Sequence, residues 1–351
     1  MKQFWSDNQT EVAPEIMAAL AAANRGAAKA YGEDAISGRL DALFSALFET
    51  EVAVFPVATG TAANALALSR LAPRYGAIFC HPEAHIHVDE CGAAEFYTGG
   101  AKLIPVAGAH GRFDAEGLAQ GLREFRVGVV HQVQPAAVSL TQATERGTVY
   151  SLAELAAIAE VAAAHRLGVH MDGARFANAV VHLGCSPADA TWRAGVDVLS
   201  FGATKNGAMA AEAVVFFKPG LARDFGFLRM RGGHLISKMR FASAQLEAYL
   251  ADGLWLRGAA HANRMARRLG EGLAALDGVT LAHPVEANEV FPMLPEAVVS
   301  GLEAEGFGFQ RRGGEHLITL RLVTAFDTRA EDVDAFVASA AVLAGGGRKR
   351  A

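Results

Sequence analysis

Cysteine is scarce in this 351-residue chain: Cys80, Cys91 and Cys185 are the whole set. An odd number without metal-finger spacing gives no disulfide framework and no zinc ribbon, and points to a reducing compartment with free thiols. Long apolar runs are also missing. The alanine-rich stretch 18–23 is interrupted by Asn24 and Arg25, so it reads as a helix, and no segment is long enough to span a bilayer. The first residues, Met1-Lys2-Gln3-Phe4-Trp5-Ser6-Asp7, lack the apolar centre of a secretory signal, which makes the cytoplasm the expected location. There is no basic surplus either. The net charge is −5, so nothing favours nucleic acid as a partner. No Gly-Lys-Ser/Thr closes a glycine loop, and no Gly-x-Gly-x-x-Gly follows a strand. These absences argue against a Walker nucleotide site and against a nicotinamide dinucleotide.

What the chain does have is a globular composition, 52% hydrophobic and 20% charged, and length for one large and one smaller domain. Pro14-Glu15 opens a helix that Gly26 stops, and a polar turn follows at Tyr31-Gly32-Glu33-Asp34. Leu40, Leu43, Phe44, Leu47 and Phe48 have helical spacing. Short apolar strands then alternate with helices. The predicted strands are 52–57, 77–80, 95–97, 102–106, 127–132, 168–171, 196–202 and 213–217; the predicted helices are 61–71, 115–124, 152–165 and 175–183. Such alternation predicts an α/β fold whose mostly parallel sheet is covered on both faces. After a break at 220–233 come two long helices, near 237–249 and 254–276. A smaller α+β unit ends the chain, with strands at 280–282, 289–293 and 317–322 and helices near 295–305 and 330–343. The expected division is a large domain 1–250 that includes the N-terminal arm, a small domain 251–344, and a glycine-rich basic tail 345–351 expected to be disordered.

Four motifs carry chemistry. In Ser200-Phe201-Gly202-Ala203-Thr204-Lys205-Asn206-Gly207 a buried strand ends in a small-residue turn that bears a lysine, at the sheet edge where ligands bind in such folds. A desolvated lysine amine can attack an aldehyde, although alone this could be a surface lysine. In His170-Met171-Asp172-Gly173-Ala174-Arg175 a strand-end carboxylate could pair with a pyridinium nitrogen, or could simply cap the next helix. Arg175 lies three residues further on and could bond the same ligand. Thr59-Gly60-Thr61 ends a strand and opens a helix, which suits a phosphate as well as an ordinary cap. In His85-Ile86-His87-Val88-Asp89-Glu90, His85 could stack on a ring and handle protons. Asp89, four residues on, could orient it. A metal cluster and a solvated loop are the alternatives there. A phosphate cradle, a stacking histidine, a strand-end aspartate and a lysine 33 positions later together fit one cofactor, pyridoxal 5′-phosphate (PLP).

With these residues in hand, the sequence resembles the low-specificity L-threonine aldolases of PLP fold-type I over nearly its full length. The matching blocks are Tyr31-Gly32, Thr59 to Asn64, His85 to Glu90, Met171 to Gly173 with Arg175 to Asn178, and Ser200 to Gly207. The resemblance implies a large domain with a mostly parallel seven-stranded sheet flanked by helices, and a small C-terminal α+β domain. It implies PLP bound to Lys205 as a Schiff base, Asp172 at the ring nitrogen, Gly60 and Thr61 at the phosphate, and His85 stacked on the ring with Asp89 and His131 assisting. Ser6, Arg175 and Arg321 would hold the substrate carboxylate or cofactor oxygens, with Tyr31 nearby. Arg231 would reach the phosphate site of a neighbouring subunit in a homodimer or homotetramer. The implied activity is that of an aldehyde-lyase, cleaving L-threonine, L-allo-threonine and related β-hydroxy-α-amino acids to glycine and an aldehyde. The alternatives are β-elimination, racemisation or transamination on the same scaffold. Two departures stand out: Thr204 precedes Lys205 where the better-known branch carries serine, and His131-Gln132-Val133-Gln134-Pro135 stands where that branch leads into a Glu-Asn-Thr-His run.

Overall fold

The computed structural model describes residues 2–314 and 317–346, so most of the expected tail, residues 347–351, lies outside the described residues. Seven strands form the main sheet in the order Ala53–Val57, Glu212–Phe216, Val198–Gly202, Gly168–Gly173, Gln134–Thr141, Gly76–Cys80, Lys102–Pro105. Glu212–Phe216 runs antiparallel to both neighbours and the other adjacent pairs are parallel. The central strands read as continuous apolar runs because helices cover both faces. Leu199 and Phe201 meet Phe44, Phe48, Phe176, Tyr249 and Trp255 on one face. Val198 and Val214 pack on Ala63, Leu66 and Ala67 of helix Gly60–Leu71 on the other. Phe201 sits edge-on to Phe44 with ring centroids 5.2 Å apart. Burial of a side chain of this size contributes about 1.5–3 kcal/mol.

The smaller unit has its own antiparallel sheet, in the order Glu289–Val290, Leu317–Val323, Pro292–Pro295, Thr280–Leu281, with Gln310–Arg311 also paired to Leu317–Val323. Its core gathers Phe4, Leu294, Leu302, Phe307, Leu320 and Phe336. Helix Leu254–Ala274 serves both cores, through Trp255 and Ala259 at one end and Ala266, Leu269 and Leu273 at the other. No helix among the described residues is long and apolar enough to cross a membrane.

Three expectations need correction. Residues predicted as a strand at 95–97 lie in helix Ala93–Thr98, which Gly92 and Gly99 bound in left-handed conformations. The strand predicted at 127–132 begins instead at Gln134 and runs to Thr141. Gly128 takes a positive φ of 82°, and Val127 and Val130 are exposed, so the apolar letters there belong to a loop. Pro135, in the second position of this strand, falls where the register with Gly76–Cys80 shifts, a place where proline is tolerated. Finally, the N-terminal arm joins the smaller unit: Lys2–Gln3 pairs with Phe307–Gly308, and Phe4 is buried in that core.

Candidate active site

Strands that run the same way end on the same edge of the sheet, and ligands bind beyond that edge. The pairing register places Thr141, Asp172 and Ser200 side by side on three adjacent strands. The loops beyond these ends carry Glu145, Arg175 and Lys205. The strand ending at Val57 leads to Gly60, and the one ending at Cys80 leads to His85. The loops approach closely because Gly202 has no side chain: a Cβ there would lie 2.6 Å from the Ala174 carbonyl oxygen.

Lys205 sits on the short helical turn Thr204–Asn206, anchored on both sides. Ala203 N–H donates to Glu212 Oε2 (3.0 Å), and Asn206 Nδ2 donates to the Tyr249 hydroxyl (2.7 Å) and the Trp255 carbonyl (2.8 Å). Asp172 is buried; Asn64 Nδ2 donates to its Oδ2 (2.8 Å) and Ala174 N–H to its Oδ1 (3.0 Å). Beneath it, His170 lies between the hydroxyls of Ser139 and Ser200 (2.9 Å each). Burial pushes its imidazole down to about 4, so it is a neutral strut.

The partner of His85 differs from the expectation. Asp89 lines the outer cavity but is exposed; Glu90 makes the contact, with Oε1 2.8 Å from His85 Nδ1. Helix His85–Val88 lasts a single turn, so the i, i+4 rule does not extend to Asp89, and the chain folds back through Cys91 and Gly92 at positive φ. The Glu90 hydrogen bond raises the His85 pKa, and burial raises that of Glu90, so the pair retains a proton to higher pH.

Arg175 is buried, and Asp7 clamps it through Nε to Oδ2 (2.7 Å) and one terminal nitrogen to Oδ1 (2.9 Å). Glu289 lies 3.5 Å from Arg175 and also receives Arg321, whose Nε donates at 2.8 Å. Asp7, Glu90, Glu289 and Glu145 were all outside the predicted set. Glu90 and Glu145 carried a positional signal, each lying just past the end of an element that reaches this edge, whereas Asp7 and Glu289 carried none.

Two cavities meet here. The outer, about 410 Å³, is lined by Ser6, Asp89, Arg312 and Arg321 among others; the inner by Gly60, Thr61, Asn64, Glu90 and Asp172. His85, Glu145, Arg175 and Lys205 line both. The structure does not bring in three predicted residues. His131 is exposed just before strand Gln134–Thr141, at the opposite edge of the sheet, because that strand starts later than predicted. Tyr31, 53% exposed, and Arg231, exposed at the end of helix Phe225–Arg231, line neither cavity.

The chain matches the β-eliminating lyase family over residues 3–297. It is 45% identical to a low-specificity L-threonine aldolase of Pseudomonas aeruginosa over 332 residues, 95% of each chain. The chain belongs to the low-specificity L-threonine aldolases. A threonine aldolase structure from Leishmania major superposes with a TM-score of 0.92 at 28% identity, covering 97% of this chain and 99% of that one. A serine palmitoyltransferase of Sphingomonas wittichii, 17% identical, shares the fold, with a TM-score of 0.72 over 99% of this chain and 88% of its own.

The threonine aldolases are PLP-dependent lyases, and the residues of the inner cavity fit that cofactor. Thr59 Oγ1 caps the Ala62 N–H (3.2 Å), which leaves the first N–H groups of helix Gly60–Leu71 for an anion. A Cβ on Gly60 would meet nothing within 4 Å, so the approach is open. Asp172 offers a buried carboxylate to a ring nitrogen, and Asn64 Oδ1 beside it is buried with no partner among the described residues.

Proposed function

We propose that this threonine aldolase cleaves L-threonine, L-allo-threonine and related β-hydroxy-α-amino acids to glycine and an aldehyde. The observation that carries this reading is the convergence of Lys205 and Asp172 on one cavity that also opens on the Gly60–Thr61 helix start. Lys205 would hold the PLP aldehyde carbon, Asp172 its ring nitrogen, Gly60 and Thr61 its phosphate, and His85 one face of its ring. When bound, PLP accepts the electron pair released at Cα.

The chain's own residues choose the bond. Arg321 and Ser6, on the outer cavity wall, would take the substrate carboxylate, the arginine by two parallel hydrogen bonds. Arg175, immobilised by Asp7, supplies a fixed cation beside them. A carboxylate held there sets which substituent of Cα stands perpendicular to the cofactor plane. His85 Nδ1 is held by Glu90, so its imidazole keeps one orientation, and the β-hydroxyl would lie at this junction.

Three further elements belong to the same reading. The active unit is a homodimer or homotetramer in the cytoplasm, with Arg231 and Tyr31 serving the neighbouring site. Exposure of both, and of Phe227 and Met230 on the same helix as Arg231, supports a partner surface there. The division into domains near residue 250 draws support from two apolar cores, with Phe4 of the arm in the smaller core and Trp255 and Ala259 in the larger.

The test is product identification with PLP-loaded protein and L-threonine. Glycine and acetaldehyde in equal amounts are expected; ammonia and 2-oxobutanoate would replace this reading with β-elimination.

A further inference from the structure

Glu145 lies outside the motifs that marked the site. It is nevertheless one of four side chains shared by both cavities, with His85, Arg175 and Lys205. A substrate whose amine is at Lys205 and whose carboxylate is at Arg321 must place Cα and Cβ at that junction. Its carboxylate is held in place: Oε1 accepts the His85 backbone N–H (2.7 Å) and the Thr141 hydroxyl (3.0 Å). Oε2 is buried and has no hydrogen-bond partner among the described residues. The loop that carries it is braced. Gln142 receives the Tyr150 N–H and donates to the Tyr150 carbonyl (2.9 Å each), and Thr144 N–H meets the Thr148 carbonyl (2.9 Å). A buried, unpaired carboxylate oxygen on a rigid loop lacks a donor, and a hydroxyl brought to the junction would supply one.

The other three shared side chains are less suited to accept a proton. Arg175 is a permanent cation tied to Asp7. Lys205 is committed to the cofactor in the reading above. The Glu90 contact biases His85 toward its charged form, in which both ring nitrogens carry protons. The charged and titratable groups around Glu145 include Asp172, Arg146 and Arg175, with His85 and Lys205 on the same cavity walls. Burial, with Asp172 adding to it, pushes the Glu145 carboxyl up to about 7, in the range suited to proton exchange near neutrality.

We propose that Glu145 is a catalytic residue whose Oε2 accepts the β-hydroxyl proton as the substrate's Cα–Cβ bond breaks. This rests on the aldol-cleavage reading above. The O–H bond breaks and its electron pair forms the second C–O bond of the aldehyde, while the Cα–Cβ pair stays with Cα. A proton is then delivered to Cα, so threonine becomes glycine plus acetaldehyde with no net change in protons.

The variant Glu145→Gln keeps the shape and the Oε1 acceptor but takes no proton. Two reactions of the PLP-loaded enzyme are compared: L-threonine cleavage, and exchange of the glycine α-proton in deuterium oxide followed by NMR. Exchange involves no β-hydroxyl. The expected result is a fall of roughly 10²–10⁴-fold in the ratio of cleavage to exchange. Urea unfolding of the cofactor-free proteins gives an independent readout. Glu145→Gln should gain stability relative to the parent as pH rises from 5 to 8, because only the parent must then bury a carboxylate. Equal losses in cleavage and exchange, or unchanged cleavage, would overturn the proposal. A parent enzyme that exchanges glycine but never cleaves threonine would overturn the reaction reading and this proposal together, a pattern distinct from either.

Discussion

Replacing Asp7 by asparagine tests the electrostatic frame of the site. In the folded chain Asp7 is 1% exposed and Arg175 7% exposed, and they meet through two hydrogen bonds of 2.7 and 2.9 Å. Asn288 Nδ2 adds a third at 3.0 Å. Losing one member of a buried pair typically costs about 3–5 kcal/mol, because the remaining charge is stranded. Glu289, 3.5 Å from Arg175, compensates in part, so the lower end, about 3 kcal/mol, is expected. For a chain of 351 residues this is a fall of about 4 °C in Tm. Burial by itself works to raise the Asp7 pKa; the Arg175 and Lys205 charges outweigh it, and the folded value lies below the usual 3.8. A depressed carboxyl contributes its full stability above its unfolded pKa and loses it as pH falls through the folded one. The difference between parent and Asp7→Asn should therefore be flat from pH 5 to 8 and shrink only below about pH 4. Calorimetry at several pH values is the assay. A Tm difference of 1 °C or less at neutral pH, or one that grows between pH 5 and 8, would refute the argument. The variant should also raise KM for threonine, since Arg175 would no longer be held in place.

Two other substitutions bear on the site. Glu90→Gln removes the carboxylate that raises the His85 pKa, so the His85 Cε1 proton should titrate at lower pH in an NMR series; an unmoved midpoint would detach Glu90 from that role. His131→Ala should leave threonine turnover unchanged and stability within about 0.5 kcal/mol, as expected for an exposed residue away from the cavities. A marked loss of kcat would return His131 to the reaction.

The residues that emerged from sequence were those at strand-to-loop junctions where composition changes abruptly. Asp172 closes an apolar run, Lys205 follows a run of small residues, and Thr59-Gly60-Thr61 separates a strand from a helix. Such junctions are visible because burial demands apolar strands and the bound group demands polar or small residues just beyond them. One misplaced strand hid Glu145, while His131 rested on the family resemblance and not on the strand pattern. The strand in fact runs Gln134–Thr141, which puts His131 before its start and Glu145 four residues past its end. The cause is local: an exposed loop with Val127, Val129 and Val130 imitates a strand, while the true strand opens with Gln134-Pro135. Asp7 and Glu289 were illegible for a different reason. Their role is to neutralise arginines contributed by distant segments, and nothing in the local sequence marks a carboxylate that pairs across 168 positions.

Two glutamates, the half-buried Glu145 and the buried Glu212, are both pushed up to about 7 by desolvation, yet their surroundings assign them different work. Glu212 accepts the Ala203 N–H and interacts with the Thr204 hydroxyl, so it secures the turn that aims Lys205, and neither of its oxygens is buried without a partner. Its elevated pKa follows from a structural duty discharged in a dry place. Glu145 lines both cavities, with one oxygen bonded and the other without a partner among the described residues. Keeping that carboxylate charged above pH 7 costs the fold up to about 3 kcal/mol, which a glutamine of the same shape would avoid. A fold that retains the more expensive group, with its second oxygen unpaired where a hydroxyl would arrive, is arranged for proton transfer at that oxygen. The free oxygen and its position carry that inference, since the pKa is the same for both residues.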